Sequence, residues 1–130
     1  VSVPPEGSTA DRLPVVVDHA SAIPPFEQLR LGIVALVRDG QLPAGSKIPT
    51  VRTLAMSLRL APNTVARAYR ELEQQGVIET QGRRGSFIAS TGDPTRDSAG
   101  RAATEYVAAI RKLGLSDDDA VQFVRSAIRA

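Results

Sequence analysis

The chain has no cysteine among its 130 residues, which excludes a disulfide framework and a thiolate metal site. Its single histidine, His19, cannot form a histidine cluster, so neither a metal nor a cofactor is expected. No apolar run approaches the roughly 18 residues that cross a bilayer, and the opening residues lack the charged start and apolar middle of a secretory signal. These absences lead us to expect a cytoplasmic protein with no membrane partner. The chain opens at Val1 rather than at a methionine, which leaves its natural start open. Catalytic constellations are missing too: there is no Ser-His-Asp set, no phosphate-binding glycine loop and no paired histidine. Asp117, Asp118 and Asp119 form an acidic run, but consecutive acids at a helix start are explained by capping and by the positive end of the helix dipole. An enzyme is therefore not expected.

What the chain does have is an uneven distribution of charge. Its net charge is only +2. Between Phe26 and Ser90, however, nine basic residues (Arg30, Arg38, Lys47, Arg52, Arg59, Arg67, Arg70, Arg83, Arg84) face five acids (Glu27, Asp39, Glu71, Glu73, Glu79). That segment carries +4 and the remainder −2. A basic module suits a polyanion, because phosphate neutralisation is the main source of affinity for DNA; an excess of arginine also occurs on ordinary solvated faces.

The pattern along the chain predicts a mainly α protein with a small β-hairpin. Residues 1–13 are polar, proline-rich and without period, and are expected to be disordered. Residues 14–90 hold the regular elements of one domain. Val15 to Val17 is a candidate short strand. A helix follows Pro24-Pro25, with Phe26, Leu29, Ile33, Leu36 and Val37 at helical spacing and Gly40 as its C-cap. Residues 41–49 read as a loop. A second helix is capped by Thr50 and buries Val51, Leu54, Ala55 and Leu58. A tight turn leads to a third helix that runs to about Gln75, with Val65, Ala68, Tyr69 and Leu72 inward. Val77 to Thr80 and Ser86 to Ala89 are β-prone and flank Gly82-Arg83-Arg84-Gly85, which is a hairpin signal with a basic tip. Residues 91–98 read as a linker, and residues 99–130 as two helices divided by Gly114. The order helix, helix, turn, helix, hairpin is the winged helix-turn-helix plan, in which the helix after the turn enters a major groove.

The start of the third helix concentrates groups suited to reading DNA. Asn pairs bidentately with adenine, Thr meets a thymine methyl or a phosphate, and a helix N-terminus attracts phosphate. Asn63 and Thr64 are equally placed to act as simple helix caps. Arg52, early in the second helix, reaches a phosphate if that helix crosses the backbone, or is merely solvated. In the wing, flanking glycines permit close backbone approach while two guanidiniums bridge phosphates or enter a minor groove; a turn with incidental charge is the plainer reading. The full set of expected DNA contacts is Lys47, Thr50, Arg52, Ala61, Pro62, Asn63, Thr64, Arg67, Arg70, Gly82, Arg83, Arg84, Gly85 and Ser86.

From Pro25 to about Ala89 these residues resemble the GntR family of bacterial regulators. The matching pattern is Phe26-Glu27-Gln28-Leu29, Gly40-x-Leu42-Pro43-x-Gly45, Ile48-Pro49-Thr50-x-Arg52-x-Leu54-Ala55, Asn63-Thr64-Val65, Ala68-Tyr69-x-Glu71-Leu72, Gly76-x-Ile78 and Gly82-x-x-Gly85-x-Phe87. Pro62-Asn63-Thr64-Val65 and the short tail look like the YtrA branch. The resemblance implies that Arg52, the start of the third helix and the wing glycine contact DNA. Many relatives carry Ser-Arg before the Thr-Val pair, with that Arg reading a base. Here Pro62-Asn63 stands there, which moves base reading toward Asn63, Thr64 and Arg67. The wing departs as well, with two arginines where one charged residue is common.

Two amphipathic helices in so small an appendage cannot bury their apolar faces alone, which predicts a homodimer through Tyr106, Val107, Ile110, Leu113, Val121, Phe123, Val124 and Ile128. Packing of the tail on its own domain is the alternative. The expected function is a sequence-specific, homodimeric repressor of a palindromic operator in double-stranded DNA, and a small-molecule effector of unknown identity is left open. The competing class is a winged-helix protein-interaction module, whose mark would be an exposed apolar patch without a basic wing.

Overall fold

The computed structural model describes residues 13–130. Helix α1 (Pro25–Arg38) has Pro25 at its first position, where the missing N–H is no loss. It buries Leu29, Ile33, Leu36 and Val37 on one face. Helix α2 (Val51–Leu58) is capped by Thr50, whose hydroxyl accepts the Thr53 N–H at 3.1 Å. It ends at Arg59, a non-glycine residue in the left-handed region (φ 57°, ψ 47°). The Leu60 N–H donates back to the Ala55 carbonyl at 2.9 Å and closes the helix. Only three residues, Arg59 to Ala61, separate α2 from helix α3 (Pro62–Gln74).

A three-stranded antiparallel sheet completes the domain. Strands β1 (Lys47–Ile48), β2 (Ile78–Thr80) and β3 (Ser86–Ile88) lie in the order β1-β3-β2. Lys47 pairs with Phe87 on one side of the central strand, and Ile78 pairs with Ile88 on the other. Ile48, Ile78 and Ile88 turn into the core, where they meet Leu54, Val65 and Leu72 from the helices. A 3-10 turn (Gly82–Arg84) joins β2 to β3.

Tyr69 ties the two helices of the turn together. Its hydroxyl is buried and donates to the Pro49 carbonyl at 2.7 Å, one residue before the α2 cap. Burial pushes the phenol pKa well above its usual value.

Beyond the sheet, helix α4 (Pro94–Lys112) leads through a turn at Gly114 to helix α5 (Asp117–Arg129). A reciprocal capping box starts α5: the Ser116 hydroxyl accepts the Asp119 N–H at 3.0 Å, and the Asp119 carboxylate accepts the Ser116 N–H at 3.1 Å. The pair is held by Arg111, which donates twice to Asp117, and by the Tyr106 hydroxyl, which donates to the Ala120 carbonyl.

Four boundaries differ from the sequence expectation. Leu13, expected within the disordered opening segment, is buried in the core; the rest of that segment, residues 1–12, lies outside the described residues. Val15 to Val17 is extended but pairs with no strand among the described residues; Val15 is buried against Gly32 of α1 instead. The loop expected over residues 41–49 contributes β1 as the sheet's third strand. The expected linker 91–98 is largely helix, since α4 begins at Pro94 rather than near residue 99, and Asp97 is buried. Asp93-Pro94 is a start signal rather than a break: the Asp93 carboxylate accepts the N–H groups of Thr95 and Arg96, and Pro94 occupies the first helical position.

Replacing Tyr69 by Phe strands the Pro49 carbonyl beneath α3, and the expected loss is about 1–2 kcal/mol. Urea denaturation of the two proteins checks it, with the m-value unchanged.

Candidate nucleic-acid interface

Helix α3 is held by one face. Val65, Ala68, Tyr69 and Leu72 are buried, while Asn63, Arg67 and Arg70 are exposed and Thr64 is half-buried. Its N-cap is Ala61, which has no side chain able to cap, and Pro62 takes the first helical position. Asn63 and Thr64 therefore stand inside the first turn, and the capping role considered for them is not the one they play. The carboxamide of Asn63 projects from an exposed helix start that carries no acidic residue in its first turn.

Arg67 is engaged within the chain. Its guanidinium lies 3.6 Å from the centre of the Phe26 ring and 3.3 Å from a Glu71 carboxylate oxygen. Glu71 is in turn 3.9 Å from Arg30, which grips Glu27 through two hydrogen bonds of 2.6 and 2.7 Å. Those bonds hold the Glu27 carboxyl below the usual carboxylate range. The run Phe26, Arg67, Glu71, Arg30, Glu27 thus spans α1 and α3, and sequence reasoning missed it because no helical spacing connects the two helices.

The remaining cations are differently placed. Lys47, Arg52, Arg59, Arg70, Arg83 and Arg84 are all exposed, and none forms an ion pair among the described residues. Arg52 sits in the first turn of α2, directly after the Thr50 cap and Val51. Thr50 is occupied as that cap, and its hydroxyl also bonds the Thr53 hydroxyl at 2.9 Å. In the wing, Gly82 and Gly85 both take positive φ (59° and 106°), which a side chain would resist. Pairing of β1 with β3 brings Lys47 over Gly85: a Cβ added there would lie 3.0 Å from Lys47 Cε. Lys47, Arg83 and Arg84 are thereby gathered at the wing. Ser86 is half-buried, its hydroxyl 3.4 Å from that of Thr80. Arg59 belongs with the exposed cations of the turn and was not among the expected contacts. Its left-handed backbone, costing roughly 1 kcal/mol where glycine would cost little, is the feature that sets it apart.

In the tail, Leu113, Val121, Phe123, Val124 and Ile128 are exposed, Ile128 by 78%. Tyr106 and Val107 are half-buried beside α5. Ile110 differs from the expected partner-facing set, because it is buried within its own chain along with Ala120. An open, largely apolar groove of about 510 Å³ lies between α4 and α5, lined by Tyr106, Val107, Val121 and Val124 among others.

Two helices joined by a three-residue turn, a supporting first helix and a basic hairpin define a winged helix-turn-helix. Comparison with known proteins agrees. The profile described as bacterial regulatory proteins, gntR family, matches residues 25–88. The HTH-type transcriptional regulator Rv1152 of Mycobacterium tuberculosis is 50% identical over 108 residues, covering 83% of this chain and 88% of that protein. The HTH-type transcriptional repressor YtrA of Bacillus subtilis is 38% identical over 81 residues, 62% of each chain. A crystal structure of a transcriptional antiterminator from Listeria monocytogenes superposes with a TM-score of 0.59 at 30% identity, over 90% of both chains. The chain belongs to the GntR family and is a DNA-binding transcriptional regulator.

A double-mutant cycle on Phe26→Leu and Arg67→Gln, followed by urea denaturation, is expected to give a coupling of about 0.5–1 kcal/mol for the ring–guanidinium stack. A coupling indistinguishable from zero would show that Arg67 is free to serve elsewhere.

Proposed function

We propose that two copies of the chain bind an operator built of inverted half-sites and repress transcription from it. The observation that carries this reading is the bare start of α3. Its opposite face is fixed in the core, Ala61 offers no cap, and Asn63 with Thr64 is left to meet base edges. In this reading Asn63 reads adenine, Thr64 meets a thymine methyl or phosphate, and the uncommitted cations Arg52, Arg70, Lys47, Arg83 and Arg84 neutralise phosphates. Ala61, Pro62, Gly82 and Gly85 allow the backbone to come close. Arg67 contributes mainly to the position of α3, through Phe26 and Glu71.

The exposed apolar residues of α5 and the adjoining groove favour a partner chain, and the two-fold axis of such a dimer matches an inverted repeat. Repression is supported by the name of the Bacillus subtilis relative. A cleft of about 590 Å³ between the C-terminal end of α1 and the start of α4, lined by Arg38, Pro43, Thr91 and Arg96 among others, is where an effector would lodge between tail and reading head.

Fluorescence anisotropy tests the reading, using DNA from upstream of the protein's own gene and a scrambled duplex, each titrated with salt. A preference of about 10³ or more, at two chains per duplex, is expected. Salt-insensitive or absent binding to both would overturn it. Asn63→Ala should cost about 1–3 kcal/mol on the native duplex and little on the scrambled one. Arg52→Ala should weaken both alike and reduce the salt slope by about one. Equal loss on both duplexes for Asn63→Ala would remove the base-reading role. Phe123→Asp, an exposed change that leaves the chain's own core intact, should yield monomers in sedimentation velocity at concentrations where the parent is dimeric.

A further inference from the structure

Helix α4 touches the reading head along one stripe. Asp97, Gly100, Arg101 and Thr104 recur at helical spacing and meet two short stretches of the domain. The Asp97 carboxylate is buried and accepts hydrogen bonds from the Ser90 hydroxyl at 2.9 Å, the Thr91 N–H at 2.9 Å and the Thr91 hydroxyl. Arg101 donates to the Ala89 carbonyl at 2.7 Å. Gly100 is buried so closely on the loop before β1 that an added Cβ would lie 2.8 Å from Pro43 Cβ and 3.1 Å from the Ala44 nitrogen. Thr104 packs beside Gly45. Both stretches adjoin the sheet and are bonded to it: the Gly45 N–H donates to the Ile88 carbonyl, and the Ala89 N–H to the Val77 carbonyl. The far half of the same helix, at Tyr106, Val107 and Ile110, faces α5.

We infer that this dock, centred on Asp97 and Gly100, sets the spacing of the two half-sites that the dimer accepts. The inference rests on the dimeric reading above and adds the residues that determine operator geometry. One continuous helix joins the partner-facing end to the chain flanking the sheet, so the two reading heads are related through a rigid arm rather than a flexible tether. From Gly100 to Lys112 the helix extends about 18 Å. A tilt of about 10° at the dock therefore moves a head by about 3 Å relative to the dimer axis, close to the rise of one base pair. A dock without slack selects one spacing; a loosened or displaced dock accepts others. Asp97 and Gly100 act on DNA choice without facing the reading surface, since neither belongs to α2, α3 or the wing.

The test is selection from a random-sequence duplex pool with the full chain and with Gly100→Ala, Asp97→Ala and the exposed control Ala102→Ser. Gly100→Ala favours the helix and acts by crowding Pro43 and the Ala44 backbone. The parent and the control should enrich an inverted pair of half-sites at one spacing. Gly100→Ala and Asp97→Ala should enrich the same half-site, which shows that the head is folded, with the spacing shifted or spread by one base pair or more. An unchanged single spacing in both variants would overturn the dock's role while leaving the dimer standing. Enrichment of lone half-sites by the parent would overturn the dimeric reading itself, and the inference with it.

Discussion

A helix that reads DNA must be held firmly from one side and left bare on the other. In the proposed function that constraint falls on α3. Val65, Ala68, Tyr69 and Leu72 anchor it to α1, α2 and the sheet, and the Tyr69 hydroxyl fastens it to the chain just ahead of α2. Burial supplies most of the stabilisation, and the buried Tyr69 hydrogen bond adds a directional contact to it. The exposed side of α3 can then remain polar and uncapped without loss of order. The wing depends on the same arrangement: β3 stays in place because Ile88 shares the core that holds α3.

Charge is divided along matching lines. Arg30 and Arg67 are spent on internal partners at the α1–α3 junction, where they steady the helix. Lys47, Arg52, Arg59, Arg70, Arg83 and Arg84 keep their guanidinium or ammonium groups free of acidic partners among the described residues. A surface ion pair contributes little to stability, so leaving these groups unpaired costs the fold almost nothing. An unpaired cation against a phosphate, by contrast, releases counterions and contributes directly to affinity.

Much of this was legible in the sequence because it follows from local period and local chemistry. The apolar faces of α1 to α3, the Thr50 cap and the Gly40 stop are each set within a few residues. What escaped was set by partners distant in sequence. The two residues of β1 became a strand only because β3 lies alongside, and Lys47 meets the wing through the same pairing. The stack of Arg67 on Phe26 joins two helices with no shared period. The apparent linker was misread for a different reason: Thr91-Gly92-Asp93-Pro94 carries every residue type of a loop, yet Asp before Pro is also the opening of a helix. The stripe Asp97, Gly100, Arg101, Thr104 was the signal that decides between these readings, and it is polar enough to pass for solvent-facing sequence. For the expected DNA contacts, the sequence indicated which residues are exposed better than which are unoccupied, because occupation by Thr53, Glu71 or Phe26 is a matter of packing.

The dock of α4 is made partly against main chain, the Ala89 carbonyl and the Thr91 amide, and partly against side chains, the Ser90 and Thr91 hydroxyls and the Pro43 ring. The seat is therefore a two-sided gauge: the tail must present a carboxylate and, three residues on, no side chain at all, while the head must present the Ser90 and Thr91 hydroxyls and the Pro43 ring where they stand.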